Sequence, residues 1–218
     1  IIVDDGSTDN TKKIVDEIKN TESRIKYIYQ QNEERSKARN NGIVNAKGDY
    51  VCFIDSDDLF HKNHLLFIYE SIQKNKNKKA IYISGQSVLK NGKIKNLPIE
   101  KIDHSSPTFF FTNTIITGRV AIASEILKKF KFNRNYRISE DTDLWVRISS
   151  KYPDIIQVKH HTLIYRVHDL NSVNPKKFNA YNDRKSTIKE IYQNNKKHLD
   201  KKIVSKTINN CYFGIYTY

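Results

Sequence analysis

Residues 50–54 read Tyr-Val-Cys-Phe-Ile, and four polar residues, Asp55-Ser56-Asp57-Asp58, follow without a spacer. A run that is apolar at every position does not alternate between a wet and a dry face. It is therefore expected as a strand of a parallel sheet covered on both sides. That expectation constrains the rest of the chain, because parallel strands need crossover connections, usually helices. The sequence supplies them. Ile1-Ile2-Val3 reads as a strand, Asp4-Asp5-Gly6-Ser7 as a turn, and Asp9-Asn10-Thr11 as the opening of a helix with Ile14, Val15 and Ile18 on one face. A strand over 25–29, a helix over 36–46 stopped by Lys47-Gly48-Asp49, a helix over 63–73 and a strand over 81–89 continue the alternation. Lys90-Asn91-Gly92-Lys93 is a hairpin turn by its Asn-Gly pair. Such repetition predicts an α/β layered sheet flanked by helices.

Beyond residue 95 the pattern is less regular. Residues 109–116 form an apolar stretch, 123–129 a short helix and 139–150 a stronger one, with Trp145 as a core residue of that helix. Two further strands are expected over 155–158 and 162–167. From Lys176 to Tyr218 the period is helical, through Ile188, Ile191 and Tyr192 and then Ile203, Val204 and Ile208. The chain thus divides into a sheet domain over 1–170 and a helical C-terminal extension over 171–218, packed against the sheet or extending from it.

Composition removes several function classes. The 24 Asp and Glu are outnumbered by 38 Lys and Arg, a net charge of +14, yet aromatics at 11% argue against disorder. No apolar stretch approaches the length of about 20 residues needed to cross a bilayer. Cys52 and Cys211 are too few for a metal cluster or a disulfide framework, and Cys52 reads as a small buried hydrophobe, so a cytoplasmic setting is the default. The lysines lie mostly among asparagines on expected helix ends, where solvated faces explain them; a partner for this charge would be anionic lipid head groups or phosphorylated substrates. No nucleic-acid signature is present. The chain contains no Met, and its first residues read as a strand already under way, so further residues are expected upstream of Ile1.

Three acidic groups stand where an α/β sheet binds its ligands, at the carboxyl ends of strands. Asp4 and Asp5 follow the first strand; an N-cap explains one acid before a helix, and the pair is surplus to it. Asp55 and Asp57 project to the same side of an extended chain. Two carboxylates so placed repel unless a cation lies between them, and hard oxygen ligands suit Mg²⁺ or Mn²⁺. The alternative is an acidic turn capping the next helix. Glu140 and Asp141 open a helix behind Ser139, where capping and the helix dipole account for them unless the other two groups converge on the same place.

Together these residues resemble the family 2 glycosyltransferases, nucleotide-sugar enzymes of the GT-A fold, over residues 1–170. Ile2-Val3-Asp4-Asp5-Gly6-Ser7-Thr8-Asp9-Asn10-Thr11 resembles the family's first acidic loop. Ser36-Lys37-Ala38-Arg39-Asn40-Asn41-Gly42-Ile43 resembles its S-x-A-R-N-x-G-I helix. Gly48-Asp49-Tyr50-Val51-Cys52-Phe53-Ile54-Asp55-Ser56-Asp57-Asp58 is similar to the strand that enters the D-x-D metal motif. Glu140-Asp141 resembles the pair that supplies the catalytic base, and Tyr165-Arg166-Val167-His168-Asp169-Leu170-Asn171-Ser172 a late Y-R-x-H segment near the diphosphate.

The resemblance implies a GT-A mixed sheet and a metal-dependent, inverting transfer of a sugar from a nucleotide-sugar, a UDP-sugar, to a hydroxyl of a glycan or lipid-linked acceptor. It implies that Asp5 accepts a hydrogen bond from the nucleotide base with Asp4 beside it, that Arg39 lies near the nucleotide, and that Asp55 reaches the ribose or the metal shell. Asp57 would bind Mn²⁺ or Mg²⁺, and Asp141 would be the base, with Glu140 the alternative because a helix start opposes a raised carboxyl pKa. His168 is either a further metal or phosphate contact or a solvent-facing strand histidine. The Lys-rich tail would hold the enzyme peripherally at the inner face of the membrane.

Two features depart from the pattern. The family's opening strand, S-I-I-I-P-x-Y-N, and its helix are missing, so the chain is expected to be an N-terminally incomplete fragment, poorly active or inactive alone. Asn32-Glu33-Glu34-Arg35 replaces a Gly-containing loop. Two other readings remain: a haloacid-dehalogenase-type phosphatase with Asp55 as nucleophile and Asp57 as acid/base, and an inactive transferase relic that binds glycans.

Overall fold

The computed structural model describes residues 1–102, 105–168 and 178–210. His104, Asp169-Leu170-Asn171-Ser172, Lys176 and Cys211 lie outside the described residues, as does the side chain of Ile208.

The first acidic turn joins β1 (Ile2–Asp5) to α1 (Thr11–Lys19), and β2 (Tyr27–Gln30) pairs with β1 in parallel, Val3 opposite Ile28. Gly6 makes this turn possible. Its φ is +84°, and a Cβ there would stand 2.8 Å from the Asn32 backbone nitrogen. Then come α2 (Glu34–Asn45) and β3 (Tyr50–Cys52), followed past the acidic loop by β4 (Leu59–Phe60) and α3 (His64–Asn75). The hairpin of β5 (Ile81–Lys90) and β6 (Lys93–Asn96) turns on Asn91 and Gly92, both at positive φ, as a two-residue turn between twisted strands requires. The remainder is α4 (Ser106–Thr112), a 3-10 turn over Thr117–Arg119, β7 (Val120–Ala123), α5 (Ser124–Lys129), α6 (Glu140–Ser149), β8 (Ile155–Arg166), α7 (Phe178–Asn195) and α8 (Lys201–Asn210).

β3, β7, β5, β8 and β4 lie side by side in that order, with β6 on β5. The sheet is mixed: β5 and β8 run parallel, whereas β3–β7, β5–β7 and β4–β8 are antiparallel. β5 is its centre. Ile81 and Ile83 pack with Phe109, Phe110, Trp145 and Ile148 on one face, while Tyr82 packs with Ile68 of α3, Ala121 and Val158 on the other. Alternate side chains of one strand therefore feed two helical layers. Among the described residues no helix is long and apolar enough to cross a membrane.

Two expectations differ from what is seen, and two elements have no expectation to meet. The apolar run over 50–54 is not a doubly covered central strand. Its ladder stops at Cys52, it lies at one margin of the six-stranded sheet, and Ile54 is exposed. The apolar stretch over 109–116, for which no element type is expected, begins inside the helix α4, because Pro107 sits in the first turn where its fixed φ suits a helix start, and Phe109, Phe110 and Phe111 are buried. β7 has no counterpart among the expected elements: its apolar run is only four residues long and leads directly into α5, so periodicity does not separate it from the helix. The two strands expected over 155–167 are one, β8, interrupted by bulges beside Ser84 and Gly85 that leave Lys159, His160 and Thr162 out of register.

α7 and α8 place Ile188, Ile191 and Val204 in the same cluster as Trp145 and Phe110. The extension thus shares the core of the sheet instead of enclosing its own. Ile191 is fully buried, so Ile191→Ala is expected to cost about 2–5 kcal/mol. It should lower a single thermal transition of the whole chain, read by circular dichroism; a separate, lower transition for the extension would show that it folds on its own.

Candidate active site

The site is assembled on α2. Asn40, one residue after Arg39, accepts the Phe132 N–H and donates to the Phe132 carbonyl, each at 2.9 Å, pinning the 130–133 segment to the helix. Phe132 then lies under the Arg39 guanidinium, 5.4 Å from ring centroid to Cζ. So oriented, Arg39 reaches two acidic elements at once. One terminal nitrogen donates to both Asp55 carboxylate oxygens at 2.7 and 2.9 Å; the other donates to Glu140 Oε1 at 2.7 Å. Arg35, one turn earlier, stands 4.0 Å from the same Glu140 oxygen. Arg39 is nearly buried; burial alone would disfavour its charge, but the two carboxylates more than offset this and hold it ionised.

The acidic loop is gripped from the other side by β8. The Arg166 guanidinium donates to the Asp57 and Ser56 carbonyls, and its backbone N–H donates to Asp58 Oδ1 at 3.0 Å. His168 Nε2 stands 3.1 Å from Asp57 Oδ2. Asp55, Asp57 and Asp58 each present an oxygen within 4.8 Å of the others. Hard carboxylate oxygens this close, with an imidazole nitrogen beside one of them, could hold a divalent cation. Burial pushes the Asp58 carboxyl up to about 6, against the Arg166 N–H that favours its charge.

Asp141 is the most perturbed acid of the site. Burial and then the adjacent Glu140 carboxylate push it up to about 7, while Arg39 and the Thr142 N–H, 2.7 Å from Oδ1, pull it down. Ser139 occupies the capping position of α6 but makes no side-chain cap, and its φ is +62°. Glu34, at the start of α2, has φ of +72°. Two residues in a left-handed conformation that disfavours side chains therefore open the two helices that carry Arg39 and Asp141, and such strain persists only where the surroundings impose it.

The first acidic pair behaves differently. Asp4 is buried; it accepts the Ser7 N–H at 2.7 Å and the Tyr27 hydroxyl at 2.5 Å. Burial opposes its charge, but these bonds, Tyr27 foremost, hold the carboxyl below its usual value. Asp4 thus shapes the loop. Asp5 Oδ1 accepts from Gln30 Nε2 at 2.7 Å and from the Glu33 N–H at 3.0 Å, which ties the first loop to the residues that open α2. Asp55, Glu140 and Arg39 are brought into direct contact, as are Asp57 and His168; Asp5 joins them only through the start of α2. Trp145 is wholly buried, donating to the Ile115 carbonyl at 2.8 Å, and is no part of the site. Sequence reasoning misses Arg166 as a clamp and Asn40 as a pin, although both lie inside motifs that the sequence displays.

With this geometry in hand, comparison with known proteins is informative. The family model described as Glycosyl transferase family 2 matches residues 1–130. An uncharacterized glycosyltransferase of Rickettsia conorii is 36% identical over 164 residues, covering 69% of this chain and 25% of its own length. The amylovoran biosynthesis glycosyltransferase AmsB of Erwinia amylovora is 29% identical over 158 residues, covering 67% of this chain and 52% of its own. The chain spans about a quarter of the length of three Rickettsia relatives, those of R. conorii, R. felis and R. bellii. Staphylococcus aureus TarS, residues 1–349 in complex with UDP, superposes with a TM-score of 0.68 at 20% identity, covering 99% of this chain and 62% of that one. That likeness shows the fold, a GT-A mixed sheet flanked by helices.

Removing the Arg39 charge should raise the Asp141 carboxyl above 7, because Arg39 is the foremost group lowering it. An upward shift of the Asp141 ¹³C carboxyl titration in Arg39→Gln is the expected result. Asp141 is raised from its ordinary value of 3.8 to about 7. The folded chain therefore keeps a proton that the unfolded chain has lost between these values, and this contribution to stability falls as pH rises across that window.

Proposed function

The chain belongs to glycosyl transferase family 2, and we propose that it moves a sugar from a UDP-sugar to a hydroxyl of a glycan or lipid-linked acceptor, with inversion at the anomeric carbon. The observation that carries this reading is the Arg39 bridge between Asp55 and Glu140, which draws the strand-end carboxylates and the helix bearing Asp141 into one site. The TarS structures, in complex with UDP and with UDP-GlcNAc, support the choice of donor.

Each residue then has a task. Asp5, with Oδ1 engaged, offers Oδ2 to the nucleotide base, and Asp4 keeps the loop in shape behind it. Arg39 borders the nucleotide and fixes Asp55 toward the ribose. Asp57, Asp55 and His168 would hold Mn²⁺ or Mg²⁺, which when bound neutralises charge on a departing diphosphate. Asp141 accepts the proton of the acceptor hydroxyl as its oxygen bonds to the anomeric carbon. The bond from that carbon to the diphosphate oxygen breaks on the opposite face, and the diphosphate leaves with the electron pair. Asp141 suits the base role better than Glu140: its carboxyl sits at about 7, near working pH, whereas the Glu140 carboxylate is occupied by Arg39.

Family membership favours this reading over a phosphatase with Asp55 as nucleophile. The net charge of +14 supports peripheral association with the inner, cytoplasmic face of the membrane.

Calorimetric titration of UDP with and without Mn²⁺ tests the donor and metal assignments. Binding should strengthen with Mn²⁺, and EDTA or Asp57→Ala should remove that gain; metal-independent binding of glycans alone would favour the relic reading. Asp141→Asn should spare UDP binding and reduce transfer by about 10²–10⁴-fold. Transfer by the unmodified chain should rise with pH through about 7, where Asp141 gives up its proton; a flat profile would remove Asp141 from the base role.

A further inference from the structure

Five consecutive residues of α3, Leu65-Leu66-Phe67-Ile68-Tyr69, are apolar. The inward ones account for the packing of the helix: Ile68 is buried, and Phe67 and Ile72 lie half-buried against the second core cluster. The outward ones have no such explanation, with Leu65 at 65%, Leu66 at 50% and Tyr69 at 60% exposure. A surface helix ordinarily turns polar residues outward, so a helix apolar on both faces is expected to be covered on both.

The charges around this stripe indicate what covers it. Exposed Lys62 precedes the helix, and exposed Lys74, Lys76, Lys78 and Lys79 follow at its end and in the turn beyond, whereas Glu70 is the one acid on the helix. Helical spacing puts residues 65, 66, 69, 73 and 76 along one side, so Lys76 closes the apolar stripe. A second copy of the chain would press these lysines against their equivalents, each molecule carrying +14. An anionic surface would be attracted by them instead.

We propose that the outer face of α3 docks on an anionic lipid bilayer, with Leu65, Leu66 and Tyr69 seated among the acyl chains and head groups and the flanking lysines on the lipid phosphates. This deepens the peripheral association proposed above and moves its anchor from the Lys-rich tail to α3. It also orients the site. The segment from Asp58 to His64 spans at most about 20 Å, so docking holds the acidic loop near the bilayer surface, where a lipid-linked acceptor would present its hydroxyl. Docking itself does not depend on transfer, and the two are measured separately.

Flotation of the 218-residue chain with phosphatidylglycerol-containing vesicles, against pure phosphatidylcholine vesicles, is the test. The chain should float with the anionic vesicles and weakly or not at all with the neutral ones. The triple variant Leu65→Ser, Leu66→Ser, Tyr69→Ser should lose about tenfold or more in vesicle affinity while keeping its melting temperature and UDP binding. A Tyr69→Trp variant gives a second readout: the emission of the introduced indole should shift to the blue on anionic vesicles, since Trp145 is already buried. Undiminished flotation of the triple variant would mean adhesion through scattered charge and overturn the proposal. So would absence of flotation by the parent chain, an unshifted emission of the Tyr69→Trp variant, or a dimer of the parent chain that the triple variant abolishes.

Discussion

One buried guanidinium organises the site. Arg39 is nearly enclosed, and its two terminal nitrogens are divided between Asp55, at the end of a strand, and Glu140, at the start of a helix 101 residues away from Arg39 in sequence. Breaking such a pair by removing one partner leaves a buried charge uncompensated, at about 3–5 kcal/mol. An arrangement that expensive to disturb fixes the relative position of everything attached to it. The acidic loop cannot shift without drawing on α6, nor α6 without the loop. Arg166 adds a second restraint by holding the carbonyls of the same loop from β8. The loop is therefore anchored twice, through the Asp55 side chain on one side and the backbone on the other, which leaves the Asp57 carboxylate and His168 as neighbours at the exposed rim.

The fold serves this arrangement through its central strand. β5 is buried on both faces and separates the layer of α3 from the layer of α4 and α6, and α6 is packed against the sheet by Leu144, Trp145 and Ile148. The extension contributes to the same layer through Ile188, Ile191 and Val204. The position of Asp141, the proposed base on α6, thus depends on packing that reaches from the middle of the chain to its last described helix. The strained backbone at Ser139 fits this picture, because only a helix held firmly from behind can keep an uncapped serine at φ of +62° at its start.

The parts of this structure that were legible in the sequence are those specified locally. Strand–helix alternation up to residue 90, the hairpin at Asn91-Gly92 and the three acidic groups were readable because turn chemistry and periodicity are local properties. What escaped was set by distant neighbours. The run at 50–54 has the composition of a central strand, but centrality depends on which strands flank it, and β5 holds that place. β7 is invisible because a four-residue apolar run leading directly into α5 is too short to be told from the helix by its period. The stretch at 109–116 could be given no element type because its apolar run carries no period; Pro107 and contact with α6 go with a helix at its start. In the site, the acids could be read as a set, but the partner of each could not. The serine before Glu140 has the identity of a cap and does not cap, while Asn40, inside a motif read for its arginine, instead holds the segment on which that arginine rests.

Charge balance shows why the arginine has to sit where it does. Asp55, Asp57, Asp58, Glu140 and Asp141 are five carboxyls in one neighbourhood, against which the chain sets Arg39 and Arg35 at Glu140 and Arg166 at the loop. Were all five ionised, the site would carry an excess of negative charge. The chain relieves it unevenly. Asp58 and Asp141 are pushed upward by burial and by their acidic neighbours, whereas Glu140 receives a guanidinium directly. The result is a division between two adjacent carboxyls of α6: Glu140 is held as an ion-pair partner, and Asp141 is left with an affinity for protons near neutrality. An anionic donor arriving at such a site would need additional positive charge beside Asp57, because the arginines are already committed to protein acceptors. The cation of the proposed mechanism and the separation of the proposed base from its neighbour thus both follow from the same placement of Arg39.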